Sequence, residues 1–380
     1  MLRTAYNFLK YDKAKSIGVI IGIVICIFLI GQQIGILTFL MGLMSGLIDN
    51  SDTRNAQIWV VDKITINANE LARLDESLVR EVRSVEGVKN SYPLILTQAI
   101  ATFSTGKTAP VNLVGSDPPN FIAGPNPEKI GKGNIFDLVQ DDAISADFYD
   151  ASTFANPTDI DTELEINGKR AQIRLQTKDA RGFGGSYLYT TLSKARFYGN
   201  FPEDKVSAIA VSIKEGYSAD VVRDNINKAL PSIRAWKTED LKSSTVRFIV
   251  VSSNIGTSIG SLVIFAIISG FFIIGLTLYS SAIDRVKDYG TLKAIGATNS
   301  YITKLILTQS LITATLGFCI AWLLLEGFRS GVANAGLLFR LSPLLLGGLY
   351  ILTFIISTGS ALFFSIRTIS NVEPASVFRN

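Results

Sequence analysis

Four long apolar stretches interrupt the chain, at residues 16–48, 248–283, 300–326 and 342–366, and only Lys304 and Glu326 bring charge into any of them. A helix rises 1.5 Å per residue, so about 20 apolar residues cross a hydrocarbon layer of roughly 30 Å. The pattern therefore predicts four membrane-spanning helices. The first stretch, about 50 Å long as a helix, is longer than the layer requires and should tilt or continue outward as a stalk. Between the first two stretches the rhythm shortens. AQIWVVDKITI reads as a strand, DESLVREVRSV as an amphipathic helix and VKNSYPLILTQAIATF as one or two strands. Further on, VSAIAVSIKEG reads as a strand, SADVVRDNINKALP as a helix with Ser218 as N-cap and Pro231 as stop, and SIRAWK as a strand. The part between these halves is rich in Pro and Gly, then shows a hairpin pattern around Asn167-Gly168. The expected fold is an α-helical membrane protein with four transmembrane helices plus an extracytoplasmic α/β domain at 49–247. Its halves lie at about 49–114 and 206–247, with a β-rich insertion at about 115–205.

Composition agrees: of 380 residues, 48% are hydrophobic and only 18% charged, too apolar for an ordinary soluble protein of this length. The first stretch is preceded by basic residues, as a secretory signal is, but its apolar run is about twice the usual signal length and no small-residue cleavage site comes promptly after it. It reads as a retained helix. Lysines and arginines flank the spans unevenly. Arg3, Lys10, Lys13 and Lys15 crowd the start, Arg285, Lys287, Lys293 and Lys304 the connection between spans two and three, and Arg367 and Arg379 the end. The connection between spans three and four carries only Arg329 and Arg340, beside Glu326. Positive residues favour the cytoplasmic side, which assigns residues 1–15, 284–299 and 367–380 to the cytoplasm and residues 49–247 and 327–341 to the outside.

The net charge of +4 is modest and not gathered into a patch, which sets nucleic acid aside as a partner. The chain has no histidine, so histidine acid/base chemistry, Ser-His-Asp triads and imidazole metal sites are excluded. Cys26 and Cys319 lie within apolar spans and read as small hydrophobes. ATFSTGKT resembles a phosphate-binding loop, but Ala101 stands at the first glycine position and no helix pattern comes after Thr108, so a turn between strands is expected. The glycines of RGFGGSY read as a turn, and the acid pairs Asp141-Asp142 and Asp147-Asp150 as solvated surface. No metal, cofactor or catalytic constellation is expected on this chain. Within the first stretch Gly31, Gly35, Gly42 and Gly46 fall within roughly 60° of one another at about 100° per residue, a smooth seam for another helix, either of a second copy or of this chain.

One polar segment separates spans two and three: RVKDYGTLKAIGAT, residues 285–298. Tyr289, Leu292, Ala294 and Ile295 supply apolar contacts at roughly helical spacing, and Arg285, Asp288 and Lys293 supply charges that a partner could read. Gly290 and Gly296 allow a bend or close approach. A short helix along the membrane surface, used for docking, is expected, against the plainer reading of a basic juxtamembrane loop.

The segment resembles the R-x-x-E-[IF]-G-x-x-[KR]-A-[LIV]-G-A-[ST] signature of the FtsX-like, or MacB-type, ABC transporter permeases. Arg285, Gly290, Lys293, Ala294, Ile295, Gly296, Ala297 and Thr298 match, whereas Asp288 and Tyr289 depart from the usual Glu and aliphatic or Phe. The closing EPASVFR, with Glu373, Pro374 and Ala375, resembles the family's [DE]-P-A-x-x-[LF]-R. The layout of one span, a large external domain and three further spans is also similar, most of all to stand-alone permeases of the DevC and MacB type. The resemblance implies a porter-like external domain and a non-catalytic permease subunit in a bacterial inner membrane. It also implies a coupling helix around Arg285, Asp288, Tyr289, Gly290, Leu292, Lys293, Ala294, Gly296 and Ala297 that docks on an ABC ATPase. Two ATPase copies holding ATP and Mg, a second permease copy, and a periplasmic adaptor with an outer-membrane channel are the implied partners. The implied action is mechanotransmission, moving an amphiphile, lipid, peptide or drug-like substrate outside the membrane. An FtsX-like signal transmitter that controls an extracytoplasmic partner such as a cell-wall hydrolase is the alternative.

Overall fold

A computed structural model describes residues 2–11 and 13–366. Two compact units divide the chain: residues 1–38, 256–333 and 339–380 form a helical unit, and residues 39–255 with 334–338 form a sheet unit.

Among the described residues four helices are long and apolar enough to cross a membrane: Lys13–Met44, Ile255–Asp284, Asn299–Ala333 and Pro343–Phe364. Inside the helical unit the first is the packing centre. Its small residues meet the second span in antiparallel register. Gly18 faces Thr277, Gly22 faces Ile273, and the Cys26 thiol donates to the Ala266 carbonyl at 3.2 Å. Gly270 has no room for a side chain, since a Cβ there would stand 2.2 Å from Cys26 Sγ. Such close approach is what glycine contributes to membrane helices, where association rests on packing rather than on expulsion of water. Gly317 of the third span receives Ile23 in the same way. Spans three and four share a buried hydrogen bond between the hydroxyls of Ser310 and Ser357 at 2.8 Å. Lys15 and Asp284 form an ion pair where the first span begins and the second ends.

The four glycines expected to form one seam have four different surroundings. Gly31 is filled by Leu325 and Leu349 and Gly35 by the Phe339 ring, all within the helical unit, whereas nothing lies within 4 Å of a Cβ at Gly42. Gly46 lies past the end of the long helix, in a short turn Gly46–Asp49 after Ser45 (φ −92°, ψ 6°), and faces the Arg181 carbonyl. The second span also begins later than expected. A separate helix, Thr238–Ser252, belongs to the sheet unit, and Asn254 (φ +57°) breaks the chain before Ile255. Asparagine tolerates that left-handed conformation better than most residues, so an apolar run that looks continuous is cut in two. A helix at Leu2–Tyr11 precedes the first span.

The sheet unit is built on a ten-stranded mixed sheet. Ile233–Lys237, Ile58–Asp62, Ala208–Ile213 and the first half of Val88–Phe103 run antiparallel in that order, with Trp59 opposite Trp236. Alternation along a strand sorts side chains onto two faces. Ile58, Val60, Ile209 and Val211 pack with Val82, Val222 and Ile226 of the helices Ser77–Ser84 and Ala219–Ala229. Trp59, Val61, Ala208 and Ala210 point into a second core with Tyr187, Tyr189 and Leu241. Full burial of such large apolar side chains contributes roughly 1.5–3 kcal/mol each. Ser218 caps the Ala219–Ala229 helix by accepting from the Val221 N–H.

VKNSYPLILTQAIATF is a single strand of 16 residues. Its second half pairs with Thr108–Gly115, which closes ATFSTGKT as a hairpin turn with Gly106 at φ +77°. The insertion's strands join this same sheet. Glu163–Ile166 pairs with Val88–Phe103, Ser186–Thr190 runs parallel to Thr108–Gly115, and Ala143–Asp147 runs parallel to Lys169–Thr177. Asn167 (φ +50°) and Gly168 (φ +74°) turn the hairpin between Glu163–Ile166 and Lys169–Thr177, the two positive values that a type I′ turn requires.

Candidate functional site

The segment between spans two and three is helical from Val286 to Ala294, set off from the second span by a break at Arg285 (φ −103°, ψ 15°). Its end is a Schellman stop. The Ala297 N–H donates to the Leu292 carbonyl at 2.9 Å and the Gly296 N–H to the Lys293 carbonyl at 3.0 Å, with Gly296 at φ +99°. Thr298 then caps the third span, its hydroxyl accepting from the Tyr301 N–H at 3.3 Å. The residues K-A-I-G-A-T thus spell a helix end and, directly after it, a helix start. Gly296 is required by its backbone angle alone, because nothing lies within 4 Å of a Cβ built there.

The helix has a buried and an exposed side. Tyr289 is 2% exposed and packs with Ala5, Ile302, Leu305 and Ile306, with Leu292 against the same core. Burial pushes the Tyr289 hydroxyl up to about 12. Gly290 is buried as well. Lys287, Asp288, Thr291, Ala294, Ile295 and Gly296 are exposed, and Arg285, Lys293 and Ala297 are half-buried. Positions 287, 288, 291, 294 and 295 recur at the spacing that places residues on one helical face. Of the expected docking residues, then, Asp288, Ala294 and Gly296 face outward, whereas Tyr289, Gly290 and Leu292 anchor the helix. Thr291 and Ile295 complete the outward face, and Ile295, a large hydrophobe at 77% exposure, stands out on it. A large apolar residue directly before the stop glycine was its signal in the sequence. The outward face thus combines charged, hydroxyl and apolar groups in Lys287, Asp288, Thr291 and Ile295. Glu373, Pro374 and Ala375 lie outside the described residues.

A second polar assembly sits inside the sheet unit, and it overturns the reading of Asp147 and Asp150 as solvated surface. Asp147 is 0% and Asp150 5% exposed, whereas Asp141 and Asp142 are exposed as expected. Asp147 ends a strand, and its carboxylate accepts from the Tyr149 N–H at 3.1 Å, the Thr177 hydroxyl at 2.9 Å and the Ala180 N–H at 2.8 Å. Those partners lie up to 33 residues away along the chain, which is why local pattern did not reveal them. Burial raises the Asp147 carboxyl above its ordinary range, and burial together with the Asp147 charge raises Asp150 to about 7. Arg181 approaches Asp147 at 4.0 Å and Asp179 at 3.4 Å, lies over the rings of Tyr149 and Phe39, and donates to the Gly336 carbonyl at 2.6 Å. The loop between spans three and four is thereby held by the sheet unit to which residues 334–338 belong. The glycines of RGFGGSY form a tight turn, with a bridge between Gly182 and Gly185. Among the described residues no group of His, Cys, Asp and Glu side chains is placed to hold a metal ion.

Residues 260–374 match the model of the FtsX-like permease C-terminal domain. An uncharacterized ABC transporter permease of Methanocaldococcus jannaschii is 26% identical over 198 residues, 48% of this chain and 48% of that protein. The chain thus matches about half the length of this curated relative. Two solved structures are loosely similar. The periplasmic region of MacB from Actinobacillus actinomycetemcomitans has 14% identity and a TM-score of 0.39, over 52% of this chain and 94% of that one. The extracellular domain of the noncanonic ABC-type transporter YknZ from Gram-positive bacteria has 14% identity and a TM-score of 0.34, over 47% and 99%. The matched stretch runs through spans two to four and contains the whole of the helix between two of them, and over residues 260–374 the chain is similar to the C-terminal domain of FtsX-like permeases.

Proposed function

We propose that this chain is the non-catalytic permease subunit of an ATP-driven exporter of the MacB type. The carrying observation is the two-sided helix Val286–Ala294, anchored by buried Tyr289 and presenting Asp288, Thr291 and Ile295 outward. An ABC ATPase that holds ATP and Mg docks on that face, one ATPase copy for each of two permease copies. Closure of the ATPases pulls the ends of the spans, and the pull reaches the porter-like sheet unit along the chain. The helix Lys13–Met44, which contributes residues to both units, supports that route. Coupling requires that the contact energy differ between ATPase states, since proximity alone shifts no equilibrium.

The chain resides in the inner membrane with its termini and Val286–Ala294 cytoplasmic and the sheet unit outside. Membership of residues 334–338 in the sheet unit supports placing that loop and the sheet on one side. A periplasmic adaptor and an outer-membrane channel complete the path of an amphiphilic, lipid, peptide or drug-like substrate. The test is ATPase activity of the co-purified complex in proteoliposomes. Ile295→Asp should abolish substrate-stimulated hydrolysis while the permease still inserts and folds, and unchanged stimulation would refute the docking role. Hydrolysis stimulated only by a cell-wall hydrolase, with no substrate moved, would replace export by the FtsX-like signalling role.

A further inference from the structure

The sheet unit contains a cavity of about 270 Å³ that no part of the coupling account uses. Its polar lining is dominated by carboxamides. Gln98 and Asn112 face each other in register on neighbouring strands, and Asn67 and Asn69 come from the loop after Ile58–Asp62. Asn67 and Asn69 are fixed in place. The Asn67 Oδ1 accepts from the Asn69 N–H at 3.0 Å, the Asn69 Oδ1 accepts from the Tyr187 hydroxyl at 3.0 Å, and the Asn69 Nδ2 donates to the Met44 carbonyl at 2.7 Å. Asn112 is different. The residue is 7% exposed and lines the cavity, and its carboxamide has none of the side-chain hydrogen bonds that hold Asn67 and Asn69. A carboxamide on the cavity wall with no protein partner keeps both its donor and its acceptor for whatever enters the cavity.

The rest of the wall narrows the chemistry. Phe183 and Phe248 add aromatic faces, no Lys or Arg lines the cavity, and Glu70 is its one carboxylate. A phosphate or carboxylate ligand would meet no positive charge here and one negative one. Carboxamides both donate and accept, so they match neighbouring hydroxyls, and aromatic faces suit the apolar side of a ring. The volume lies just below the roughly 300–1,000 Å³ of pockets that hold drug-sized ligands, which is room for a single ring and not for a whole amphiphile. Phe248 and Ser253 lie within seven residues of Ile255, where the second span begins.

We propose that this cavity binds an uncharged, hydroxyl-bearing ring of the sugar type, with Asn112 and Gln98 as its hydrogen-bonding partners. For its biological meaning the proposal rests on the exporter reading, where the ring is the part of the substrate recognised outside the membrane. Binding itself is measured without any ATPase, so its failure and the failure of coupling are separate results.

The experiment uses the full chain in amphipol with three probes: methyl β-D-glucopyranoside, octyl β-D-glucopyranoside below its micellar concentration, and octylphosphocholine. Saturation-transfer NMR reads contact at the ring protons, and titration gives Kd. We expect ring-proton saturation with a glucoside, none at the phosphocholine headgroup, and a Kd about tenfold weaker in Asn112→Leu, the loss of one well-placed hydrogen bond. Gln98→Ala, at an exposed strand position, should weaken binding in the same direction and controls for misfolding of the buried variant. Binding of the methyl glucoside supports a free sugar as the natural source, and binding of only the octyl glucoside supports the headgroup of an amphiphile. Equal headgroup saturation by octylphosphocholine, no ring saturation by either glucoside, or unchanged Kd in the Gln98 variant would overturn the proposal.

Discussion

Replacing Asp150 by Asn should stabilise the sheet unit, and more so as pH rises. Asp150 is 5% exposed, its Oδ2 has no hydrogen-bond partner, and the charge of buried Asp147 stands beside it. Its carboxyl is raised from 3.8 to about 7, by burial first and the Asp147 charge second, against the opposing effects of Ser186 and Arg181. A carboxyl whose folded pKa is raised holds its proton more tightly in the folded state. The stability this gives is fully present below the unfolded value near 4 and is lost as pH rises through about 7. At 1.36 kcal/mol per pH unit the folded unit loses about 2.5 kcal/mol between pH 5 and pH 8 on account of this one group. Asparagine, of the same shape and uncharged, removes that loss. For a unit of this size 1 kcal/mol shifts Tm by roughly 2–4 °C, so the advantage of Asp150→Asn over wild type should grow by about 5–10 °C from pH 5 to pH 8. Trp59, fully buried and paired with Trp236 across the sheet, reports unfolding by its fluorescence. An equal Tm difference at both pH values, or a variant less stable than wild type at pH 8, would refute the reasoning.

Three further perturbations probe the helical unit. Gly296→Ala, which has open space but needs φ +99°, should lower Tm by an amount matching about 1 kcal/mol, and an unchanged Tm would show that the Schellman stop does not form in the membrane. Exchanging the charges at Arg285 and Asp288 should uncouple hydrolysis from transport in proteoliposomes without reducing the amount of inserted protein, and normal coupling would count against the docking face. Gly270→Leu, whose Cβ would stand 2.2 Å from Cys26 Sγ, should destabilise the first and second spans by about 1–3 kcal/mol, and a neutral effect in detergent unfolding would exclude this packing.

The four long apolar helices were legible because length and lack of charge alone define them, and the paired halves of the sheet because short apolar runs such as IWVV and AIAV, buried on both faces, stand out without context. The helix between spans two and three was legible as a pattern, but which side it shows was not. Tyr289 and Ile295 are both large and apolar, and only the core formed with Ala5, Ile302 and Leu305 decides that the first is buried and the second exposed. The start of the second span was missed because Phe248 to Val251 are as apolar as the span itself, and the break depends on one asparagine, Asn254, adopting a positive φ. Asp147, Asp150 and the carboxamide cavity were hidden for another reason. Their surroundings are assembled from residues far apart in the chain, such as Asn67, Asn112 and Phe248, and no local period records that.

The most direct test of the docking claim is site-specific photo-crosslinking in the assembled complex. A benzophenone amino acid placed at position 295 or 291 should crosslink to the ATPase in good yield, whereas the same group at buried position 289 should give only crosslinks within the permease. Absence of ATPase adducts from positions 295 and 291, or equal adducts from position 289, would contradict the assignment of this helix as the face that the ATPase grips.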